Sequence, residues 1–147
     1  MHRILILNGP NLNLLGVRDP EHYGEVTLSE IVGELKRLAS DRGCQVDHLQ
    51  TNHEGDLIEA IHDARSWASG IIINPAAWTH YAYAVRDALE AVDLPAVEVH
   101  ISDISEREPW RKVSVVEDVC IGQVAGQGPG GYGMALDLLL RYLEGLD

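Results

Sequence analysis

The chain has 147 residues, of which 46% are hydrophobic and 23% charged. This length and composition exclude disordered and collagen-like chains and favour one compact domain over residues 1–147. The formal net charge of −12 disfavours nucleic acid and anionic membrane surfaces as partners, because both carry charge of the same sign. The sequence shows neither a secretory signal nor an apolar run of membrane-spanning length, which predicts a cytoplasmic protein.

Short apolar strands alternate with amphipathic helices along the chain. The first strand is predicted at residues 3–7, and the first helix runs from Thr27, with Glu30 completing a capping box, to Gly43. The later elements are a strand at 46–49, a helix capped by Asn52 or His53 with Leu57, Ile58, Ile61 and Ala64 on one face, a strand at 70–73, a helix capped by Thr79 with Ala82, Val85 and Leu89 on one face, strands at 97–101 and 119–125, and a closing helix at 134–143. Only the polar connection at 103–118 interrupts the alternation. This pattern predicts an α/β fold, a flavodoxin-like three-layer sandwich with a five-stranded parallel sheet.

Polar side chains follow the strands of the predicted sheet. In an open parallel sheet, ligands bind at the carboxyl ends of the strands, so these loops are the place to look for a site. The residues concerned are Asn8 and Asn11 after the first strand, Asn74 and His80 after the third, and His100, Ser102, Arg107 and Arg111 after the fourth. Helix caps and turns explain any one of them about equally well, whereas their coincidence on three loops favours a site.

Two histidines have surroundings that suit proton transfer or hydrogen bonding. His100 lies two residues after Glu98 in a strand, so both side chains point to the same face and the carboxylate can orient the imidazole. A buried pair with a purely structural role is the alternative. His80 is predicted in the first turn of a helix, where the dipole favours neutral imidazole, although an ordinary surface histidine also fits.

Residues 16–24, GVRDPEHYG, have the composition of a mobile lid. Tyrosine ordinarily ionises near pH 10, and a guanidinium such as that of Arg18 beside Tyr23 would favour a phenolate usable as a base. A surface loop whose tyrosine covers apolar neighbours fits the spacing equally well.

The glycine-rich stretch at 126–131 matches GxGxxG, the pattern of dinucleotide sites. It follows the last predicted strand, and the acidic residue expected about 20 positions later would fall beyond the end of the chain. The stretch therefore predicts a tight turn. No P-loop, HExxH or GxSxG motif is present, so no cofactor and no metal are expected.

Six blocks of sequence resemble one enzyme family. The segments GPNLNLLG with RDPEHYG, NHEGDLIEAIHDA, INPAAWTH, VRDA, VEVHIS, and RE followed by WR resemble the type II 3-dehydroquinate dehydratases over nearly the whole chain. The resemblance implies dehydration of 3-dehydroquinate to 3-dehydroshikimate by anti elimination through an enolate, in the shikimate pathway or in quinate catabolism. It also implies a flavodoxin-like fold and a dodecamer made of four trimers.

The resemblance assigns roles to matching positions. Tyr23 would be the base, Arg18 would keep it ionised, and Asn11 would bind the water that supports the enolate. His100, oriented by Glu98, would protonate the departing hydroxyl. The substrate-binding residues would be Asn74, His80, Ser102, Arg111, the backbone at Ile101, and Asp87 from a neighbouring subunit. Arg107 also matches a family arginine, and a structural salt bridge explains it equally well.

Three other functions are possible for a chain of this kind. A Schiff-base dehydratase would need a desolvated lysine, and the chain has only Lys36, on the polar side of a helix, and Lys112. A flavodoxin-like module for FMN or phosphoryl transfer would need a phosphate loop or paired aspartates, which the loop after the first strand lacks. A catalytically weak relative is the remaining alternative. It is favoured by the departures from the family at Tyr81-Ala82 and at 112–115 and disfavoured by the intact set of catalytic residues.

Overall fold

The computed structural model describes residues 1–146, which form five strands alternating with helices. The strands are β1 (Arg3–Asn8), β2 (Gln45–Gln50), β3 (Gly70–Asn74), β4 (Ala96–His100) and β5 (Gly122–Ala125). The helices are α1 (Pro20–Tyr23), α2 (Leu28–Asp41), α3 (Glu54–Ala64), α4 (Tyr83–Val92) and α5 (Gly131–Leu143). The predicted alternation is thus confirmed, with strand and helix ends displaced by a few residues.

The strands form one parallel sheet in the order β2-β1-β3-β4-β5. Helices α2 and α5 cover one face around Ile4, Ile6 and Leu136, and α3 and α4 cover the other. The prediction of a flavodoxin-like three-layer sandwich is therefore confirmed. Because β1, β3 and β4 are neighbours, the loops after these three strands meet at one edge of the sheet.

Three predicted element starts are wrong. Thr79 does not cap a helix, because its hydroxyl donates to Glu98 and α4 begins only at Tyr83. The last strand begins at Gly122 rather than at residue 119, because residues 117–119 close a 3-10 turn instead. The closing helix begins three residues earlier than predicted, at Gly131.

Other local predictions hold. Thr27 Oγ1 accepts from the Glu30 amide and the Glu30 carboxylate accepts from the Thr27 amide, so the predicted capping box opens α2. The helix ends before Gly43, whose φ of +71° suits glycine. His53 is the N-cap of α3, although its side chain makes no capping hydrogen bond.

Gly9 brings the loops after β1 and β3 into contact. Its amide donates to the Asn74 carbonyl at 2.8 Å, and a Cβ at this position would lie 2.5 Å from the Pro75 carbonyl oxygen. Ala76, one residue further along, has a φ of +53°, which is uncommon for a residue with a side chain. This close approach places Asn74 beside the first loop.

No helix within residues 1–146 is both long enough and apolar enough to cross a membrane.

Candidate active site

A cavity of about 270 Å³ opens at the carboxyl ends of β1, β3 and β4. Most of the residues predicted for the site line it, namely Asn11, Arg18, Tyr23, Asn74, His80, His100, Ile101, Ser102 and Arg111. Arg107 and Trp110 line it as well. Residues from separate loops meet here because the strand order makes those loops neighbours.

The Tyr23 hydroxyl lies between two guanidinium groups. Arg18 donates to its oxygen from Nη2 at 3.0 Å, and Arg107 donates from Nη1 at 2.6 Å. The Arg18 guanidinium also lies over the phenol ring, with Cζ 3.8 Å from the ring centroid. Two positive charges at one oxygen stabilise negative charge there, which suits a phenolate.

Tyr23 reaches this position through the segment at 16–24. Asp19 caps α1 by accepting from the Glu21 amide, and Pro20 occupies the first helical position. The short helix buries the Tyr23 side chain against the core while the rest of the segment is mostly exposed. The alternative of a tyrosine that only covers apolar neighbours is disfavoured, because its hydroxyl has two charged partners.

His100 and Glu98 form a buried pair on the same face of β4, as the period of two predicts. His100 Nε2 lies 2.5 Å from Glu98 Oε2, and both side chains are almost fully buried. A carboxylate can only accept, so Nε2 carries the proton and Nδ1 is the other nitrogen of the ring. Since His100 lines the cavity, it can exchange a proton with a ligand there.

Glu98 accepts hydrogen bonds from three further side chains. Thr79 Oγ1 donates at 2.5 Å, Ser114 Oγ at 2.8 Å and Gln123 Nε2 at 3.1 Å. Burial alone would raise the pKa of Glu98, but hydrogen bonds from His100, Thr79 and Ser114 outweigh it and lower the pKa below its usual value. The carboxylate therefore stays charged inside the protein.

His80 lies at the end of a 3-10 turn, Ala76–His80, before α4 begins. The prediction that it occupies the first turn of a helix is wrong, because the chain makes this extra turn after β3. Its Nδ1 donates to the Val113 carbonyl at 2.6 Å, and its ring meets Trp110 edge to face. Burial lowers the pKa of His80, opposed by that hydrogen bond. Neutral imidazole is thus favoured by desolvation rather than by a helix dipole, and it leaves Nε2 as an acceptor.

Both asparagines of the site have restrained geometry. Asn74 Oδ1 accepts from the Ala76 amide at 3.0 Å, and Nδ2 donates to the Tyr132 hydroxyl at 2.9 Å. Asn11 has a φ of +70°, and its amide donates to Asn52 Oδ1 at 2.9 Å. The two side chains line the cavity from neighbouring loops.

Arg111 and Ser102 offer the groups expected for a carboxylate and a hydroxyl. Arg111 Nε donates to Glu108 at 2.8 Å, and no hydrogen bond within residues 1–146 uses its two Nη atoms. Ser102 Oγ accepts from Arg107 Nη1 at 3.5 Å. A planar guanidinium with both Nη atoms available matches the geometry of a carboxylate.

Asp87 does not join this cavity within its own chain. It lies exposed on α4, away from the lining residues. The two lysines, Lys36 and Lys112, are also exposed and do not line the cavity. A Schiff-base mechanism thus has no desolvated lysine in the part of the chain that the structure describes.

Arg107, Thr79 and Ser114 are functional candidates that sequence reasoning undervalued or missed. Arg107 contacts Tyr23, whereas its nearest carboxylate oxygen, on Glu108, is 4.0 Å away. Thr79 appeared as a helix cap, and Ser114 lies in a polar connection without periodicity. The only available signal was Arg107's match to the family motif, because distance along the chain gives no hint of the other contacts.

One group of side chains could approach a metal ion. Asp19, Glu21 and His22 lie within reach of one ion, and among the described residues they are the only such set. The two acidic residues are exposed and the histidine is half-buried. Exposed acidic groups are common without an ion, so this set carries no argument for a metal.

The arrangement suits a reaction with two proton transfers. The cavity is lined by a tyrosine oxygen among positive charges and by a histidine oriented by a carboxylate. Neutral and charged hydrogen-bonding groups between them can fix a small polar ligand that carries hydroxyls and a carboxylate.

Comparison with known proteins points to one family. Residues 2–140 match the family described as dehydroquinase class II. The chain is 54% identical over 141 residues to 3-dehydroquinate dehydratase 2 of Pseudomonas aeruginosa, covering 96% of this chain and 95% of that protein. It is 46% identical over 145 residues to 3-dehydroquinate dehydratase of Bacillus cereus, covering 99% of each. The crystal structure of type II dehydroquinase from Butyrivibrio crossotus matches with a TM-score of 0.93 at 45% identity, covering 95% of this chain and 97% of that one.

Proposed function

This chain belongs to the class II dehydroquinases and is a 3-dehydroquinate dehydratase, a hydro-lyase of the shikimate pathway, and we propose that Tyr23 and His100 carry out its two proton transfers. The observation that carries this assignment is the Tyr23 hydroxyl held by two guanidinium groups, in the same cavity as His100. The same reaction serves quinate catabolism.

Tyr23 acts as the base. Its phenolate removes a proton from the carbon next to the ketone of 3-dehydroquinate, and the electron pair moves to the ketone oxygen to form an enolate. Arg18 and Arg107 stabilise the phenolate before the transfer and keep positive charge beside it. We assign Arg107 the same role as Arg18 because its Nη1 atom lies 2.6 Å from the Tyr23 hydroxyl.

Asn11 supports the enolate through a bound water molecule. Its left-handed backbone conformation, held by the bond from its amide to Asn52, directs the loop after β1 along the cavity wall. Hydrogen bonds to the enolate oxygen are worth most in the intermediate, where the negative charge is largest.

His100 acts as the acid. Its imidazolium donates the Nδ1 proton to the departing hydroxyl, which leaves as water while the enolate collapses to the conjugated double bond. Glu98 holds Nε2–H and stabilises the positive ring before the transfer. The base comes from residues 16–24 and the acid from β4, so two different groups serve the two proton transfers of the proposed anti elimination.

The remaining groups bind and orient the substrate. Arg111 pairs with the carboxylate through its Nη atoms, while Asn74, His80, Ser102 and the backbone at Ile101 contact hydroxyls and the carboxylate. Neutral His80 accepts through Nε2, because Nδ1 is already bonded to Val113. No cofactor takes part in these steps.

Three wider features are part of the proposal. Residues 1–147 form a single catalytic domain in the cytoplasm. The subunits assemble as four trimers into a dodecamer, supported by the large apolar side chains of Tyr81, Tyr83 and Trp110 that are exposed on the single chain. In that assembly Asp87, which is exposed here, completes the cavity of a neighbouring subunit.

The rise in ultraviolet absorbance of the conjugated enone tests the reaction and the base together. We expect rapid product formation by the parent protein and a loss of several orders of magnitude in Tyr23→Phe, which lacks the oxygen but keeps the ring. Tyr142→Phe, an exposed tyrosine on α5, is the matched control. No absorbance change with the parent would refute the dehydratase activity, and equal rates for parent and Tyr23→Phe would refute the role of Tyr23 alone.

A further inference from the structure

A chain of largely buried hydrogen bonds runs from the cavity through α5 and β1 to His48 on β2. Asn74 Nδ2 donates to the Tyr132 hydroxyl at 2.9 Å, and that hydroxyl lies 2.5 Å from Asn8 Oδ1. Asn8 Nδ2 in turn lies 3.0 Å from His48 Nε2. The three inner members are at most 3% exposed. None of these residues takes part in the proposed proton transfers. Asn74 is the one member that lines the cavity.

The direction of these bonds is determined at one end. The backbone amide of Ala76 can only donate, so the Asn74 atom it contacts at 3.0 Å must be Oδ1. Nδ2 then faces Tyr132, whose oxygen accepts and whose proton goes to Asn8 Oδ1. Asn8 must present Nδ2 to His48, and Nε2 must be an unprotonated acceptor. One backbone N–H therefore selects the neutral form of a histidine at the other end of the chain.

Protonation of His48 conflicts with this arrangement. Imidazolium carries hydrogens on both nitrogens, so Nε2–H would face Asn8 Nδ2–H, donor against donor. Flipping the amides of Asn8 and Asn74 and turning the Tyr132 hydroxyl would let Asn8 Oδ1 accept from His48. It would also place Asn74 Nδ2 against the Ala76 amide, again donor against donor. A buried donor left without an acceptor is costly, so each microscopic arrangement with charged His48 disturbs the chain.

We propose that Asn8 and Tyr132 are positioning residues that hold the amide of Asn74 for substrate, and that protonation of His48 loosens this hold. The hydrogen bond to Tyr132 uses one of the two N–H groups of the Asn74 amide and leaves the second for a ligand in the cavity. The consequence for binding rests on the proposed substrate role of Asn74. The coupling between His48 and Asn74 does not depend on it.

The surroundings of His48 favour its neutral form at neutral pH and place its protonation at acidic pH. Its side chain is half-buried on the face of β2 that packs against α2, where Lys36 is the charged group that faces it. Asn8, which contacts His48 from β1, and Tyr132, which contacts Asn8 from α5, carry no charge, and burial raises the pKa of the Tyr132 hydroxyl. Burial, followed by the positive charge of Lys36, lowers the pKa of His48 below its usual 6.5. The histidine is therefore neutral at pH 7 and takes up a proton only at a pH below its usual 6.5.

Nuclear magnetic resonance of the ligand-free protein tests the coupling directly. We expect the side-chain amide signals of Asn74 to shift with the titration of the His48 imidazole as the pH falls below the usual histidine pKa of 6.5. In His48→Gln they should not shift with that midpoint, because glutamine can accept from Asn8 through Oε1 and does not titrate. Asn74 signals that stay constant in the parent, or that titrate identically in His48→Gln, would overturn the proposal.

Steady-state kinetics tests the consequence for binding. In the parent, KM for 3-dehydroquinate should rise by about fivefold as His48 becomes charged, which corresponds to the loss of one ordinary hydrogen bond, while kcat changes less. His48→Gln should lack this component and should match the parent at pH 7. Equal rises of KM in both proteins would contradict the role in binding. Absence of dehydratase activity in the parent would instead contradict the proposed function, and the resonance experiment would still decide the coupling.

Discussion

Glu98 is a buried carboxylate whose charge is maintained by His100 and by three uncharged donors. Thr79, Ser114 and Gln123 share its negative charge with His100. A carboxylate that is partly satisfied in this way orients the imidazole without taking its proton outright. In the proposed mechanism, the acid His100 thus depends on side chains that do not line the cavity.

Removing one of these donors should change the acid more than the binding of substrate. We expect Ser114→Ala to lower kcat roughly tenfold, since a hydrogen bond to a charged group is worth about 1.5–3 kcal/mol, and to change KM little. The pKa of Glu98 should move back up, so the acidic limb of the kcat profile should move to higher pH. Ser40→Ala, at an exposed position of α2, is the control. An unchanged pH profile in Ser114→Ala would contradict the positioning role.

In the proposed mechanism, Arg107 stabilises the base Tyr23 through their contact at 2.6 Å. We expect Arg107→Ala to lower kcat roughly ten- to a hundredfold, because the phenolate loses its shorter charged donor. Measurement of the rate of enone formation checks this, with Arg65→Ala, exposed at the end of α3, as the control. If Arg107 served only to form an ion pair with Glu108, both variants would form the enone at the rate of the parent.

The loops after β1 and β3 form the floor of the site because Gly9 lets them touch. We expect Gly9→Ala to destabilise the protein by about 1–3 kcal/mol, the usual cost of forcing an extra carbon into a packed region, and to displace Asn74. Its Cβ would meet backbone atoms of Pro75, which cannot rotate away. Dehydratase activity should fall along with the free energy of unfolding.

Gly33→Ala supplies the matched control. Gly33 lies in the middle of α2, where an added Cβ meets nothing within 4 Å. This substitution should raise the free energy of unfolding by about 0.5–1 kcal/mol through helix propensity and leave activity unchanged. Urea denaturation should show a lower free energy of unfolding than the parent for Gly9→Ala and a higher one for Gly33→Ala. Destabilisation by Gly33→Ala, or tolerance of Gly9→Ala, would contradict the packing argument.

The stability of the whole molecule should fall as the pH becomes acidic. His48 and His80 both have pKa values below the usual 6.5 because of burial. The unfolded chain therefore binds more protons as the pH drops below 6.5, and the free energy of unfolding decreases. Glu98 causes a second decrease in the free energy of unfolding below its usual pKa of 4.5. Its pKa is lowered in the folded state, so the carboxyl stabilises the fold only while it is ionised.

Thermal denaturation from about pH 8 down to about pH 2.5 measures this dependence. The midpoint temperature should be highest near neutrality and decline in two stages toward acid. His48→Gln should remove part of the first stage and leave the second. A midpoint that is constant from neutral pH down to pH 5 would show that the two histidines ionise equally in the folded and unfolded chain.

The sequence by itself determined the order of the elements, the parallel sheet and the Glu98–His100 pair. These features depend on periodicity: apolar strands, the capping box at Thr27 and a spacing of two residues all act over short stretches of chain. The family motifs also pointed to Tyr23, Arg18 and Arg111 as residues of one site.

Only the tertiary structure decided which distant residues meet. Strand order brought Asn74 beside Gly9, and the irregular connection after β4 brought Arg107 to Tyr23 and Ser114 to Glu98. Thr79 illustrates the difference, because its local pattern favours a helix cap while a buried carboxylate offers a stronger partner. Such contacts depend on the packing of chain segments far apart in sequence, and local propensity carries no information about them.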